Sequence, residues 1–225
     1  MWLQTNRRDI SYAVKDLSKY CHDPTVEDVK KANHLLRYLA GTRDEKVHLK
    51  PNKTDYFQLQ AYSDADLGNC RKSKRSTSGG CILFNGSIIH TWAKQQGTVA
   101  DSPTEAEFLA MARACKEIKY ITQFLDELGI VLEKVPVLYV DNTSAMTMVT
   151  ENVKSRVKHL DRKKYLIREM VHNLNLTVHH VETKFNIADI FTKYVPQTVL
   201  NVLKPAIMGR ERPPLELDND SNFVL

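Results

Sequence analysis

Four of the chain's 27 acidic residues stand out by position. Asp64 follows Ala61-Tyr62-Ser63 at the end of an alternating stretch, and Asp141 closes the apolar run Val135–Val140. Glu107 falls in the first turns of a long helical pattern, and Asp189 lies in Asn186-Ile187-Ala188-Asp189 on a short helix. α/β sheets place their ligands at the carboxyl ends of strands, where Asp64 and Asp141 fall. Carboxylates gathered at one point repel unless cations neutralise them, and an oxygen-only donor set favours Mg²⁺ or Mn²⁺. Two such ions about 3.5–4 Å apart can clamp an in-line phosphoryl displacement. Each acid also has a plainer reading. Asp141 ahead of Asn142-Thr143-Ser144 could be only a helix cap, and Asp189 alone an ordinary surface acid.

The elements that must position these acids are legible as patterns. Phe57, Leu59 and Ala61 alternate with polar neighbours, which predicts a strand over 57–62. Cys81–Phe84 and Ile88–Trp92 flank Asn85-Gly86, a strong hairpin signal. Apolar residues spaced by three or four predict a helix over 103–128, opened by Pro103 and ended by Gly129. The unbroken apolar character of 135–140 predicts a strand covered on both faces, as in parallel pairing. Helices through 144–146 and 159–174, a strand over 176–181 and a short helix over 186–193 follow. Upstream, 9–21 and the stretch from Pro24 to Gly41 read as two helices. The prediction is a mixed five-stranded sheet with flanking helices, preceded by a helical segment. The divisions are 1–50, helical; 55–196, the layered α/β domain; and 197–225, a poorly ordered tail.

The net charge of +5 permits a nucleic-acid partner without requiring one. Its distribution says more. Residues 154, 156, 158, 162, 163, 164 and 168 are Lys or Arg against the single acid Asp161, and Arg71-Lys72-Ser73-Lys74-Arg75 follows the first carboxylate. Such clusters suit a phosphate backbone, and equally a solvated face. The four cysteines form no C-x-x-C pair, which argues against a zinc site and for a reducing compartment. No N-terminal apolar region reads as a signal peptide, and no apolar run approaches the ~18 residues of a membrane span. A cytoplasmic location is the expectation.

Several blocks, in order, resemble the ribonuclease H region of copia-type LTR-retrotransposon Pol polyproteins. They are Tyr62-Ser63-Asp64-Ala65-Asp66; Arg75-Ser76-Thr77-Ser78-Gly79; Trp92-Ala93-Lys94-Gln95-Gln96 leading to Thr104-Glu105-Ala106-Glu107; Asp141-Asn142-Thr143-Ser144-Ala145; Lys158-His159-Leu160-Asp161; and Ile187-Ala188-Asp189-Ile190-Phe191-Thr192-Lys193. The resemblance implies a ribonuclease H-like fold. It implies hydrolysis of RNA in RNA–DNA hybrids with two divalent cations, Mg²⁺ or Mn²⁺, held by Asp64, Glu107, Asp141 and Asp189. Glu107, followed by Phe108-Leu109-Ala110, fits the glutamate better than Glu105, which suits the helix N-terminus. Asp66 fits a supporting place beside the ligands. Arg75, Ser76, Thr77, Lys158, His159, Arg162 and Lys163 are the expected nucleic-acid contacts. No histidine occupies the loop 182–185, so His179 and His180 receive no role.

The blocks Arg8-Asp9-Ile10-Ser11-Tyr12-Ala13-Val14 and Leu35–Thr42 resemble the tail of the reverse transcriptase that precedes this region, the expected partner domain in a full polyprotein. A Tyr-x-Asp-Asp strand is absent, so no polymerase activity is expected and the chain reads as a truncated fragment. The alternative is a fragment that binds nucleic acid without cutting it. An integrase-like nuclease is disfavoured by the missing zinc-ligand pattern and the order of the four acids.

Overall fold

The computed structural model describes residues 3–49, 56–150, 158–173 and 175–213. Five strands, β1 (Leu59–Ala65), β2 (Thr77–Phe84), β3 (Ser87–Gln95), β4 (Val137–Val140) and β5 (Thr177–His180), form one mixed sheet in the order β3-β2-β1-β4-β5. β1, β2 and β3 are antiparallel, whereas β4 runs parallel to both β1 and β5. The hairpin between β2 and β3 turns at Asn85 (φ 46°) and Gly86 (φ 80°), the left-handed pair that a two-residue turn needs. β1 runs past the expected 57–62 because the backbones of Ser63 and Asp64 pair with Gly80 and Gly79.

Period-two alternation divides the core into two layers. Leu59, Ala61, Ile82, Leu138 and Val140 face the long helix α4 and its neighbours, whereas Tyr62, Cys81, Leu83 and Tyr139 face the C-terminal segment. The helices in chain order are α1 (Leu3–Asn6), α2 (Ser11–Ser18), α3 (Val26–Gly41), α4 (Pro103–Glu127), α5 (Thr143–Thr150), α6 (Lys158–His172) and α7 (Gln197–Ile207). α4 starts with Ser102 accepting from the Glu105 amide and Pro103 in its first turn. α3 starts with a capping box between Thr25 and Asp28.

Three expectations are corrected. The stretch 9–21 is a 3-10 turn, Arg8–Ile10, followed by the shorter α2, and the helix near 186–193 is likewise 3-10, Ile187–Phe191. The tail assigned from 197 is not poorly ordered throughout. α7 folds onto the sheet and buries Leu203, Ala206, Ile207 and Met208, an amphipathic stripe that outweighs the internal Pro205. Residues 214–225 lie outside the described residues. The segment after α3 is anchored to the same region, since the His48 amide donates to the Met208 carbonyl; residues 50–55 lie outside the described residues.

Candidate active site

β1, β4 and α4 bring three carboxylates together. Asp64 sits one residue before the end of β1, Asp141 directly follows the parallel neighbour β4, and Glu107 is the fifth residue of α4. One oxygen from each of Asp64, Glu107 and Asp141 falls within 4.8 Å of the others. Asp64 and Glu107 are only 2% and 8% exposed, so the charges gather where water does little to screen them. Burial, then the charges of Asp64 and Asp141, push the Glu107 carboxyl up to about 10. Burial and Asp64 likewise raise Asp141, against a hydrogen bond from Thr183. Glu107 Oε2 finds no donor among the described residues. Glu105 faces elsewhere: its carboxylate accepts from the Asp101 amide at the helix start, 3.0 Å away.

Asp189 stands beside this cluster without being one of the three. Lys193 Nζ lies 2.8 Å from Asp189 Oδ1 and 4.0 Å from Asp64 Oδ2. Burial and the charge of Asp64 push the Asp189 carboxyl up to about 7, against the opposing pull of Lys193. Thr192 Oγ1 donates to Asp64 Oδ2 and also lies 3.0 Å from the Asp189 carbonyl. Asn186 fixes the segment from the other side, its Nδ2 donating to the Ser63 carbonyl and its Oδ1 accepting from the Ala188 amide. Thr192 and Lys193 belong to the block Ile187–Lys193, in which the resemblance points to the aspartate alone. The i,i+4 spacing of Asp189 and Lys193 was the available signal.

The segment 187–192 approaches the sheet over Gly79, the partner of Asp64 in β2. A Cβ on Gly79 would lie 2.5 Å from Thr192 Cγ2 and 2.7 Å from the Phe191 carbonyl carbon. Only hydrogen fits there, and that is what lets Thr192 reach Asp64.

The expected nucleic-acid contacts divide. Arg75 and Arg162 are exposed. Ser76 and Thr77 are corrected out of the set: they are 0% and 1% exposed. Ser76 Oγ accepts from the Gly68 amide, Thr77 Oγ1 accepts from Lys15, and the Thr77 amide donates to Asp66. These bonds brace the β1–β2 connection from within. Lys163 is half-buried with Lys94, Arg113 and Lys116 around a cleft of about 300 Å³, which the sequence pattern did not single out. Gln96 joins this cleft to the carboxylates, since its Nε2 donates to Ser78 Oγ and to the carbonyl of Ala106, next to Glu107. Lys158 and His159 start α6, but their side chains, like residues 154–157, lie outside the described residues. His179 packs against Tyr139, 6.1 Å between ring centroids.

A mixed five-stranded sheet with an acidic cluster at the carboxyl ends of adjacent parallel strands defines a ribonuclease H-like α/β protein. The chain is homologous to one segment of the Pol polyproteins of copia-type retrotransposons. It is 37% identical over 95% of its length to the retrovirus-related Pol polyprotein from transposon RE1 of Arabidopsis thaliana, and 39% identical over 85% to that from transposon RE2 of the same plant. It spans only 14% and 13% of those two polyproteins. No protein-family model matches the chain. Among solved structures, the LC11 ribonuclease H1 isolated from compost is 18% identical with a TM-score of 0.45, covering 60% of this chain and 92% of that one. No helix among the described residues is long and apolar enough to cross a membrane.

Proposed function

We propose that the chain hydrolyses RNA in RNA–DNA hybrids, as one step of reverse transcription by a retrotransposon polyprotein. The observation that carries this reading is the convergence of Asp64, Glu107 and Asp141 within 4.8 Å, with a buried Glu107 oxygen that lacks a donor among the described residues. Three crowded carboxylates, two of them raised in pKa, form a donor set that fits hard divalent cations. Asp64, Glu107 and Asp141 would hold Mg²⁺ or Mn²⁺, with Asp189 at the margin. A bound pair of such cations supplies Lewis-acid polarisation of the phosphoryl group and activation of a water.

The chain's own side chains do the rest. Thr192 orients Asp64 by hydrogen bonding, and Lys193 offsets the charge of Asp64 and Asp189. Lys94, Arg113, Lys116 and Lys163 line a cleft beside α4 suited to a nucleic-acid backbone, with exposed Arg75 and Arg162 as further contacts. Hybrid recognition would rest on backbone shape and 2′-hydroxyls rather than base sequence. In a longer polyprotein the partner would be an upstream reverse transcriptase domain, and the site of action the cytoplasm.

The test is Mg²⁺-dependent cleavage of a labelled hybrid. Asp64→Asn is expected to lower the rate by more than about 10²-fold, the scale of losing a central electrostatic group. Salt-sensitive hybrid binding with no cleavage in Mg²⁺ or Mn²⁺ would sink the enzymatic reading and leave the binding fragment in its place.

A further inference from the structure

Arg8 is the anomaly of the N-terminal segment. It is 8% exposed, yet its guanidinium makes no hydrogen bond or ion pair with any described residue, and Nη1 is wholly enclosed. Its neighbour Arg7, just as buried, is held by Asp9 and Thr42. A buried guanidinium without a partner destabilises a fold unless something occupies its donors. Arg8 lines a cavity of about 410 Å³ together with Gln4, Thr5 and Ser11, whose hydroxyl also lacks a partner, and the run Ile89–Lys94 of β3. Among the described residues no Asp or Glu lines it. β3 ends the sheet, and among the described residues its backbone bonds only to β2. One wall of the cavity is therefore an unpaired strand edge, a template for an added strand.

We infer that this cavity is a docking site for an extended peptide that adds to the edge of β3 and places one acidic side chain against Arg8 and Ser11. A planar guanidinium matches a carboxylate in bidentate geometry, here through its Nε–Nη2 edge rather than the enclosed Nη1. A nucleic-acid backbone is the poorer fit, because phosphates are tracked by several exposed cations rather than by one enclosed arginine.

Isothermal titration of the whole chain with acetyl-Val-Glu-Val-Glu-Val-amide tests this. The Glu peptide is expected to bind at least about tenfold more tightly than its Gln counterpart, as for a charge-assisted hydrogen bond. A version with N-methylated backbone amides should lose binding, because it cannot pair with β3. Arg8→Met should remove the preference for Glu while leaving Tm unchanged or raised, since the ligand-free arginine is unpaired. Equal binding of Glu and Gln peptides, absence of binding, or an Arg8→Met chain that keeps the preference overturns the proposal. Competition by duplex DNA or inorganic phosphate at the same site also overturns it. Should Arg8→Met fail to fold, the two peptide comparisons on the unaltered chain still decide.

Discussion

Two buried carboxylates in this molecule have opposite fates. The Asp9 side chain is fully enclosed, like much of Glu107, and burial alone pushes it upward. Hydrogen bonds from Arg7 and Tyr38 and the charges of Arg7 and Lys204 outweigh that, so its carboxyl ends below the usual range. The surrounding hub is closed: Lys204 Nζ lies 3.0 Å from Glu45 Oε1, and Arg210 pairs with the other Glu45 oxygen. At Glu107 burial is reinforced by two like charges, and the carboxyl is pushed up to about 10. Enclosure is similar in the two places; the partners differ. Where every acceptor has a cation or hydroxyl, the group secures structure. Where acceptors face one another, the protein holds an unmet demand that a ligand can satisfy.

The contrast can be broken most severely at Asp9. Asp9→Ala leaves Arg7 enclosed without its anion and should cost about 3–5 kcal/mol, read as a fall in Tm or in the denaturant midpoint. Its hybrid affinity, measured below the new Tm, should change little. At the cluster the sign reverses. Between the ordinary Glu value of 4.5 and about 10 the folded protein holds a proton at Glu107 that the unfolded chain has released, so stability falls as pH rises through that window. In chelator, Glu107→Gln should therefore gain about 1–3 kcal/mol over the unaltered chain, the scale of one unsatisfied buried polar group. The gap should widen from pH 5 toward pH 10, and millimolar Mg²⁺ should reverse the order. A Glu107→Gln chain less stable than the parent at pH 9 in chelator would erase the distinction between the two sites. Lys193→Met is the mildest change. Without that ammonium, Asp189 should titrate about one unit higher, and the acid limb of the pH–rate profile should move up with it. Activity at pH 7 should fall about fivefold, with the ionised fraction of Asp189.

What could be read from the amino-acid order follows from the range of the forces involved. Asn85-Gly86, the helix from Pro103 and the unbroken strand before Asp141 are local signals, and local patterns carry them. The convergence of Asp64, Glu107 and Asp141 needed only one further fact, that β1 and β4 are neighbours. The Asp9 hub depends on pairs such as Arg7 with Thr42 and Arg210 with Glu45, and no periodicity announces those. α7 escapes a local reading because Pro213-Pro214 and Asp218-Asn219-Asp220 argue for a disordered tail, whereas Leu203 and Ile207 join the buried cluster of Tyr62, Leu83 and Tyr139. Ser76 and Thr77 looked like surface contacts because they adjoin a basic run. Their own bonds hold them inward, Ser76 Oγ accepting from the Gly68 amide and the Thr77 hydroxyl from Lys15.

The glycine pair in β2 leaves the sheet thinnest beside its acids. Gly79 admits Thr192 on one face; on Gly80, a Cβ would stand 2.2 Å from Trp92 Cζ2 and 2.4 Å from the Tyr62 carbonyl oxygen. The engineering term is clearance. At this place the fit is set by backbone against neighbour, with no side chain on β2 able to rotate and absorb an error. The tolerance on where Thr192 meets Asp64 is thus smaller than the width of a methyl group.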